Sequence, residues 1–317
     1  MRIVFMGTPE FAVTILDKII EKGHDVACVV TTPDKPAGRG QHIKSSDVKV
    51  YAEEHHIPVL QPERLKDELF LEKLQSYQAE VFVVVAFRML PKAVYDMPPK
   101  GTFNVHASLL PQYRGAAPIQ WAIINGETKT GVTTFFLDEH TDTGEIIRQK
   151  EVEITSSDNG GSVHDKLMLA GAEIACQTLD DIEQNTLHTY AQDDSHPLKP
   201  APKIFKDDML IHWDDTAENI YNKIRGLSPY PTAFTRLTSS SDPYKTFSLK
   251  IYTGSITNIK SDEKPGTLTI VGEEKMRIST KNFDISLENV QLEGKKRMKI
   301  EDFLKGFRKN NYINTLK

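Results

Sequence analysis

The sequence predicts an α/β protein: a Rossmann-like, doubly wound and mostly parallel sheet, followed by a smaller antiparallel β-barrel of the OB type. Three observations predict it. The chain opens strand–turn–helix–strand, with Arg2–Met6, the turn Gly7-Thr8-Pro9, a helix over Glu10–Lys22 capped by Gly23, and a strand over Val26–Thr31. The run Val81-Phe82-Val83-Val84-Val85-Ala86 is apolar without alternation, as a central parallel strand covered on both faces must be. Beyond residue 206, strand-like runs separated by turns replace the α/β alternation, at 233–237, 247–252, 266–271, 276–279 and 283–292.

The elements between follow in order. Thr32–Lys49 holds Pro33, Pro36, Gly38 and Gly40, which break any period and predict a long irregular loop. Helices are expected over Val48–His55 and Glu63–Gln75, on either side of a short strand at Val59-Leu60. Phe103–His106 ends a further strand, Ile119–Asn125 is helical up to Gly126, Gly131–Leu137 is a strand, and Asp138–Gly144 is a polar loop. After Gly160-Gly161-Ser162, the residues Val163, Leu167, Ala170, Ile174 and Leu179 recur on one helical face. His196-Pro197-Leu198-Lys199-Pro200-Ala201-Pro202-Lys203 reads as a stiff proline-rich linker. The expected division is therefore a domain over 1–189, a linker over 190–206 and a second domain over 207–317, the last opening with Ile211-His212-Trp213 and a helix near Ala217–Gly226.

Composition narrows the function. A chain of 317 residues exceeds one typical domain, and 39% hydrophobic with 26% charged residues excludes wholesale disorder. No stretch approaches the roughly 20 apolar residues of a membrane span. The first apolar run, Ile3–Met6, is too short for a signal-peptide core, so a cytoplasmic protein with no membrane partner is expected. Cys28 and Cys176 form no CxxC motif and the histidines no HExxH, which points to two buried thiols and chemistry without a metal. Gly7 lacks the partners of a GxGxxG fingerprint, so no nicotinamide cofactor is expected.

The formal charge of −5 is unevenly spread: residues 1–206 carry 21 basic and 29 acidic side chains, residues 207–317 carry 18 and 15. The positive excess gathers at Lys295-Lys296-Arg297-Met298-Lys299 and at Arg308-Lys309. Read alone, such a run is usually a solvated face. A basic second domain also suits a large anionic substrate reaching a site elsewhere. The 32–49 loop adds Lys35, Arg39, Lys44 and Lys49 against only Asp34 and Asp47.

One stretch carries chemistry. In Phe103-Asn104-Val105-His106 the amide and the imidazole alternate, so on a strand both side chains face one way. A carboxamide can polarise a carbonyl oxygen as it becomes tetrahedral, and an imidazole can move a proton near neutrality. Asp142, in Asp142-Thr143-Gly144, could orient the imidazole if the fold brings the two together. By residue type alone Asn-x-His is a weak signal, since most such side chains satisfy local hydrogen bonds.

The longer segment Asn104-Val105-His106-Ala107-Ser108-Leu109-Leu110-Pro111-Gln112-Tyr113-Arg114-Gly115-Ala116-Ala117-Pro118-Ile119-Gln120, with Gly131–Gly144, resembles the signature of the folate-dependent formyltransferases. Arg114–Ile119 is closest to the branch that acts on a charged tRNA, and the resemblance extends from Met1 to the C-terminal tail. It implies transfer of the formyl group of 10-formyltetrahydrofolate to the α-amine of methionine on initiator tRNA. It gives Asn104, His106 and Asp142 catalytic roles, and implies a folate site at Phe87, Arg88, Met89, Leu90, Ser108, Leu109, Leu110 and Pro111. It implies tRNA contacts from the loop Pro33–Gly40, chiefly Arg39 with Lys35 and Lys44 beside it, and from a cationic tail at Lys295, Lys296 and Arg297.

This chain departs from the family at three places. Arg88 stands where Gly is frequent, His140-Thr141 precedes Asp142 in place of apolar or small residues, and Tyr230 stands where Trp is usual. His140 is expected to be an exposed bystander. A monomer is expected. A glycinamide ribonucleotide formyltransferase, a sugar-nucleotide formyltransferase and an RNA-binding module with a decayed enzyme domain remain the alternatives. The first lacks support because Gly7-Thr8-Pro9 is not a phosphate-binding glycine loop, and the last because Asn104, His106 and Asp142 are all present.

Overall fold

A computed structural model describes residues 1–37 and 42–307. The first elements are β1 (Arg2–Gly7), α1 (Glu10–Glu21), β2 (Asp25–Val30), β3 (Lys35–Ala37), β4 (His42–Lys44), α2 (Asp47–Glu54), β5 (Val59–Leu60), α3 (Glu68–Gln75), β6 (Val81–Val85), α4 (Lys92–Tyr95) and β7 (Thr102–His106). Next come α5 (Pro118–Ile124), β8 (Lys129–Phe136), β9 (Ile146–Glu153), α6 (Gly160–Gln184) and α7 (Ala217–Gly226). The remainder is β10 (Ala233–Thr238), β11 (Thr246–Lys260), β12 (Leu268–Val271), β13 (Lys275–Ile278), β14 (Phe283–Leu292), β15 (Met298–Lys299) and α8 (Ile300–Gly306).

Two compact units result, and neither is continuous in sequence. The first holds Met1–Pro118, Lys129–Glu153 and His164–Pro202; the second holds Ile119–Thr128, Ile154–Val163 and the chain from Lys203 onward.

The first unit is built on a sheet of order β5-β2-β1-β6-β7-β8-β9. Its first five strands run parallel, while β8 and β9 are antiparallel additions. The chain steps outward from β1 to β2 and β5, then returns to lay β6 on the other side of β1. The carboxyl ends of β1 and β6 therefore mark the reversal of strand order, where open α/β sheets leave a crevice for ligands. Ile3–Met6 of β1 and the whole of β6 are buried, as covering helices on both faces require. Gly7 ends β1 in a crowded place: a Cβ there would stand 2.7 Å from the Ala12 Cβ and 3.1 Å from the Val85 carbonyl oxygen. On α6 the five residues expected to face inward, Val163, Leu167, Ala170, Ile174 and Leu179, are all buried.

Two local expectations are overturned and one strand was not foreseen. Residues 32–49 are not an irregular loop throughout. Lys35–Ala37 and His42–Lys44 pair as an antiparallel ribbon, with Lys35 opposite Lys44 and Ala37 opposite His42, and α2 begins by Asp47. Pro36 does not prevent this, because a two-stranded ribbon has open edges that need no N–H from it. The expected helix from Glu63 starts five residues later, because the Asp67 carboxylate accepts a hydrogen bond from the Phe70 N–H at 3.2 Å and sets the N-terminus there. Strand β9 went unrecognised because Arg148, Lys150, Glu151 and Glu153 make it polar, as an antiparallel edge strand can be.

In the second unit the sheet order is β10-β11-β14-β13-β12, with β15 pairing β14, and every pairing is antiparallel. The fifteen-residue β11 changes register against β14 at three places, which bends it and lets one strand serve two stretches of the sheet. Ile220 and Ile224 of α7 and Phe303 and Leu304 of α8 pack with Leu249, Ile251, Ile285 and Val290 in one core. Trp213 is buried there, its indole N–H donating to Thr235 Oγ1 at 3.0 Å.

Both cysteines are buried free thiols. Burial pushes the Cys28 thiol from its ordinary 9.0 up to about 12. The native state thus keeps a proton that the unfolded chain releases above pH 9, so stability falls as pH rises from 9.0 toward about 12. The urea midpoint should drop between about pH 8 and about pH 10.5, and Cys28→Ala should make that drop shallower. Equal slopes in the two proteins would contradict this.

Candidate active site

The site grows from the carboxyl end of β7. Asn104 and His106 alternate along it and share a face, opposite Phe135 and Thr133 of β8. His106 is buried, and its Nε2 lies 2.9 Å from the carbonyl oxygen of Tyr113. A carbonyl only accepts, so Nε2 carries the hydrogen and donates it; in the neutral ring the lone pair is on Nδ1. That Nδ1 stands 3.8 Å from Asp142 Oδ2, ion-pair range but longer than a hydrogen bond. A proton taken up by His106 would therefore arrive at Nδ1, on the side of the carboxylate. Asn104 is half-buried, and its amide makes no hydrogen bond to any of the described residues, leaving both donors for a substrate.

Asp142 is held by backbone. It adopts a left-handed conformation, φ 57°, and its Oδ2 accepts the Gly115 N–H at 3.0 Å. Close packing fixes the loop on both sides. A Cβ on Gly144 would meet the Phe136 carbonyl oxygen at 1.7 Å, and one on Gly115, φ 124°, would meet the Ala201 carbonyl oxygen at 2.5 Å. His140 is exposed, its backbone N–H bonded to Asp138 Oδ1.

The loop after β7 rests on Thr133. Its buried hydroxyl donates to the Ser108 carbonyl at 2.6 Å and accepts from the Leu110 N–H at 3.1 Å and Gln149 Nε2 at 3.0 Å. Gln149 also donates to the Leu110 carbonyl, and Ser108 Oγ to the Gln112 carbonyl. Ser108 and Leu110 are thus buried supports, while Leu109 and Pro111 are half-buried and remain open to a ligand.

The segment after β6 emerges beside it, because Val84 and Val85 pair with Asn104 and Val105. Ala86 and Met89 are exposed, Phe87 is half-buried, and Leu90 is anchored in the core. Arg88 is held by the segment after β5. Its guanidinium donates to the carbonyls of Pro62 and Glu63 and lies 5.5 Å from the Phe87 ring, and burial lowers its pKa. Exposed apolar surface from one segment beside a backbone-braced loop from the next is a surface suited to a flat heterocycle.

The cations expected to meet nucleic acid fall in two places. Lys35 and Lys44 are exposed on the ribbon, whereas Arg39 lies outside the described residues. Lys49 is committed elsewhere, its Nζ 2.6 Å from Asp34 Oδ2. In the second unit Lys295, Lys296 and Arg297 are exposed on the turn joining β14 to β15, the Arg297 guanidinium 4.2 Å from the Tyr252 ring centre.

Several supporting residues escaped sequence reasoning. Thr133 looks like any strand threonine. The stretch taken for a spacer is bonded along the first unit: Tyr190 pairs with Ile146, Lys199 accepts from the Tyr113 N–H, and Ala201 bridges Gly115. Gln192 and Asp194 in that stretch reach Arg114. No periodicity marks such contacts.

His106 and Asp142 thus approach one another at the end of the strand that carries Asn104, and sequence comparison places the chain among the group-transfer enzymes. The Formyl transferase family profile matches residues 1–179, and the Formyl transferase, C-terminal domain profile matches residues 203–308. The chain belongs to the formyl transferase family. Among its relatives, the methionyl-tRNA formyltransferase of Flavobacterium johnsoniae is 50% identical over 306 residues, covering 96% of each chain. That of Bacteroides thetaiotaomicron is 47% identical over 311 residues, covering 97% of this chain and 96% of its own. Among solved structures, HypX from Aquifex aeolicus in complex with tetrahydrofolic acid superposes with a TM-score of 0.65 at 16% identity. That match covers 98% of this chain but only 50% of HypX, and shows a shared fold.

Thr133→Val keeps the shape of the side chain while stranding the Leu110 N–H and the Ser108 carbonyl. We expect a loss of about 1–3 kcal/mol in the free energy of unfolding by urea. A change within error would show that the loop does not depend on this hydroxyl.

Proposed function

We propose that this enzyme transfers the formyl group of 10-formyltetrahydrofolate to the α-amine of methionyl-initiator tRNA. The observation that carries the reading is the approach of His106 and Asp142, distant in sequence, at the end of the strand that also presents Asn104. The named relatives at 47% and 50% identity over nearly the whole chain favour the tRNA substrate over a sugar or a ribonucleotide.

The residues divide the work by atom. The Asn104 amide donates to the formyl oxygen as that oxygen gains negative charge. The neutral methionine amine attacks the formyl carbon, and the proton it sheds passes to Nδ1 of His106, where Asp142 Oδ2 balances the imidazolium. The same proton is then available to the departing N10 of the folate. The Gly115 N–H bonded to Oδ2 holds the Asp142 carboxylate in position on that side of the ring. The folate ring is taken by Phe87, Met89, Leu109 and Pro111, with Arg88, Leu90, Ser108 and Leu110 bracing that wall from behind. Lys35, Arg39 and Lys44, and Lys295, Lys296 and Arg297, supply sequence-independent phosphate contacts. We take one chain as the working unit, acting in the cytoplasm where charged tRNA is found.

One oxyanion donor is worth roughly 3–4 kcal/mol, so Asn104→Ala should lower kcat by about 100-fold or more while folate still binds. The activity itself is tested by offering charged initiator tRNA, glycinamide ribonucleotide and an amino sugar nucleotide in parallel with 10-formyltetrahydrofolate. Formylation of the tRNA is expected; transfer to either other amine, with none to tRNA, overturns the reading.

A further inference from the structure

Between the two family-matched segments, 1–179 and 203–308, lies a stretch that neither profile describes. Gln192 sits in it, half-buried against the loop that bears Asp142. Its Nε2 donates to two carbonyls at once, those of Asp142 and Gly144, each at 2.9 Å. Its Oε1 accepts from Arg114 Nε at 3.1 Å and Nη2 at 2.7 Å. The orientation of the amide is settled by its neighbours, since carbonyls only accept and a guanidinium only donates. Arg114 is fixed in turn by Asp194, with Nη2 to Oδ1 at 2.8 Å and Nη1 to Oδ2 at 3.2 Å.

We propose that Gln192 is a positioning residue: by tying the carbonyls on either side of Thr143 to Arg114, it holds the Asp142 carboxylate at its working distance from His106. Four bonds from one side chain join two loops that each already contribute to the pair. The Arg114 loop presents the Tyr113 carbonyl to His106 and the Gly115 N–H to Asp142. The Asp142 loop is a left-handed turn at a residue other than glycine, which needs outside support to persist. Among the described residues, Gln192 is the one side chain that supports both carbonyls of that turn and the neighbouring loop together. Its bonds go to Arg114 and to the Asp142 and Gly144 carbonyls, none to His106 or to the Asp142 carboxylate, so it acts through the backbone that carries Asp142.

The inference rests on the catalytic role given above to Asp142, and the test separates the two. Formyl transfer to methionyl-initiator tRNA is measured for the wild type, Gln192→Ala, Gln192→Glu, Asp142→Asn and the double variant Gln192→Ala with Asp142→Asn. Gln192→Glu has the same shape and still accepts from Arg114, but sets an oxygen against the two carbonyls. Both single Gln192 variants should lose about 10- to 100-fold in kcat, the scale of a misplaced catalytic group. The KM for each substrate should stay within about twofold, because no binding contact is removed. In the Asp142→Asn background, Gln192→Ala should cost less than about twofold, because its partner in the effect is already gone.

Losses that multiply in the double variant, or wild-type kcat in Gln192→Ala, would overturn the positioning role while leaving that of Asp142 intact. A KM that rises while kcat holds would also overturn it, as would a Gln192→Glu variant with wild-type turnover. Wild-type turnover in Asp142→Asn would overturn both readings at once.

Discussion

The carboxyl end of β7 depends on one constraint: a carboxylate on a left-handed residue is kept beside a buried imidazole. For a residue other than glycine, φ 57° is an unfavourable backbone state, of order 1–3 kcal/mol, and persists only when the surroundings over-determine it. Here they do. The Gly115 N–H takes Oδ2, the two flanking carbonyls go to Gln192, and Gly144 lies so close to the Phe136 carbonyl that no side chain fits. Thr143 Oγ1 adds a bond to Asp138 across the same loop. The strain at Asp142 is thus held by contacts that also define where its carboxylate points.

The antiparallel strand β8 solves a related problem on the other side. A loop after a parallel strand carries backbone groups that no neighbouring strand can satisfy, and burying them unpaired costs about 1–3 kcal/mol each. Placing β8 antiparallel to β7 sets Thr133 directly opposite His106, where its hydroxyl reaches the Ser108 carbonyl and the Leu110 N–H. The hydroxyl donates once and accepts twice, which exhausts its capacity. The five parallel strands create the crevice; the two antiparallel ones make its floor polar enough to be buried.

The parts of this architecture legible in the sequence are those with a period or a long apolar run. β1, α1, β6 and α7 fall within a residue or two of expectation, and α6 buries its expected face though it starts three residues earlier, because burial on one stripe or on both faces leaves a pattern. β14 matches at both ends, with Ile285, Leu287 and Val290 buried along it. The alternation of Asn104 and His106 was visible in the sequence, but it was a weak signal until the longer resemblance joined it to Asp142. What stayed hidden is carried by single side chains bonding to backbone: Asp67 starting α3, Thr133 under the loop, Gln192 behind Asp142. Such bonds depend on which segments meet in space, and neighbouring residues bear no trace of that. Arg88 shows the same limit, since only the fold says that its charge is spent on the Pro62 and Glu63 carbonyls.

Charge counting has the same blind spot, and correcting it sharpens the nucleic-acid reading. Taken from composition, the first half of the chain offers Lys35, Lys44, Lys49 and Arg114 as comparable cations. In the fold they are not comparable. Lys49 is paired with Asp34, which also accepts from Gln61, and Arg114 is paired with Asp194. Both charges are neutralised locally, and a phosphate would have to displace a carboxylate to reach them. Lys35 and Lys44 stand opposite one another on the ribbon, and Lys295 and Lys296 share a turn, with no carboxylate in ion-pair range among the described residues. Like charges so placed repel each other modestly, a cost that no carboxylate among the described residues offsets and that a phosphate backbone would relieve. The cations worth assigning to an anionic partner are therefore those the fold leaves without a carboxylate.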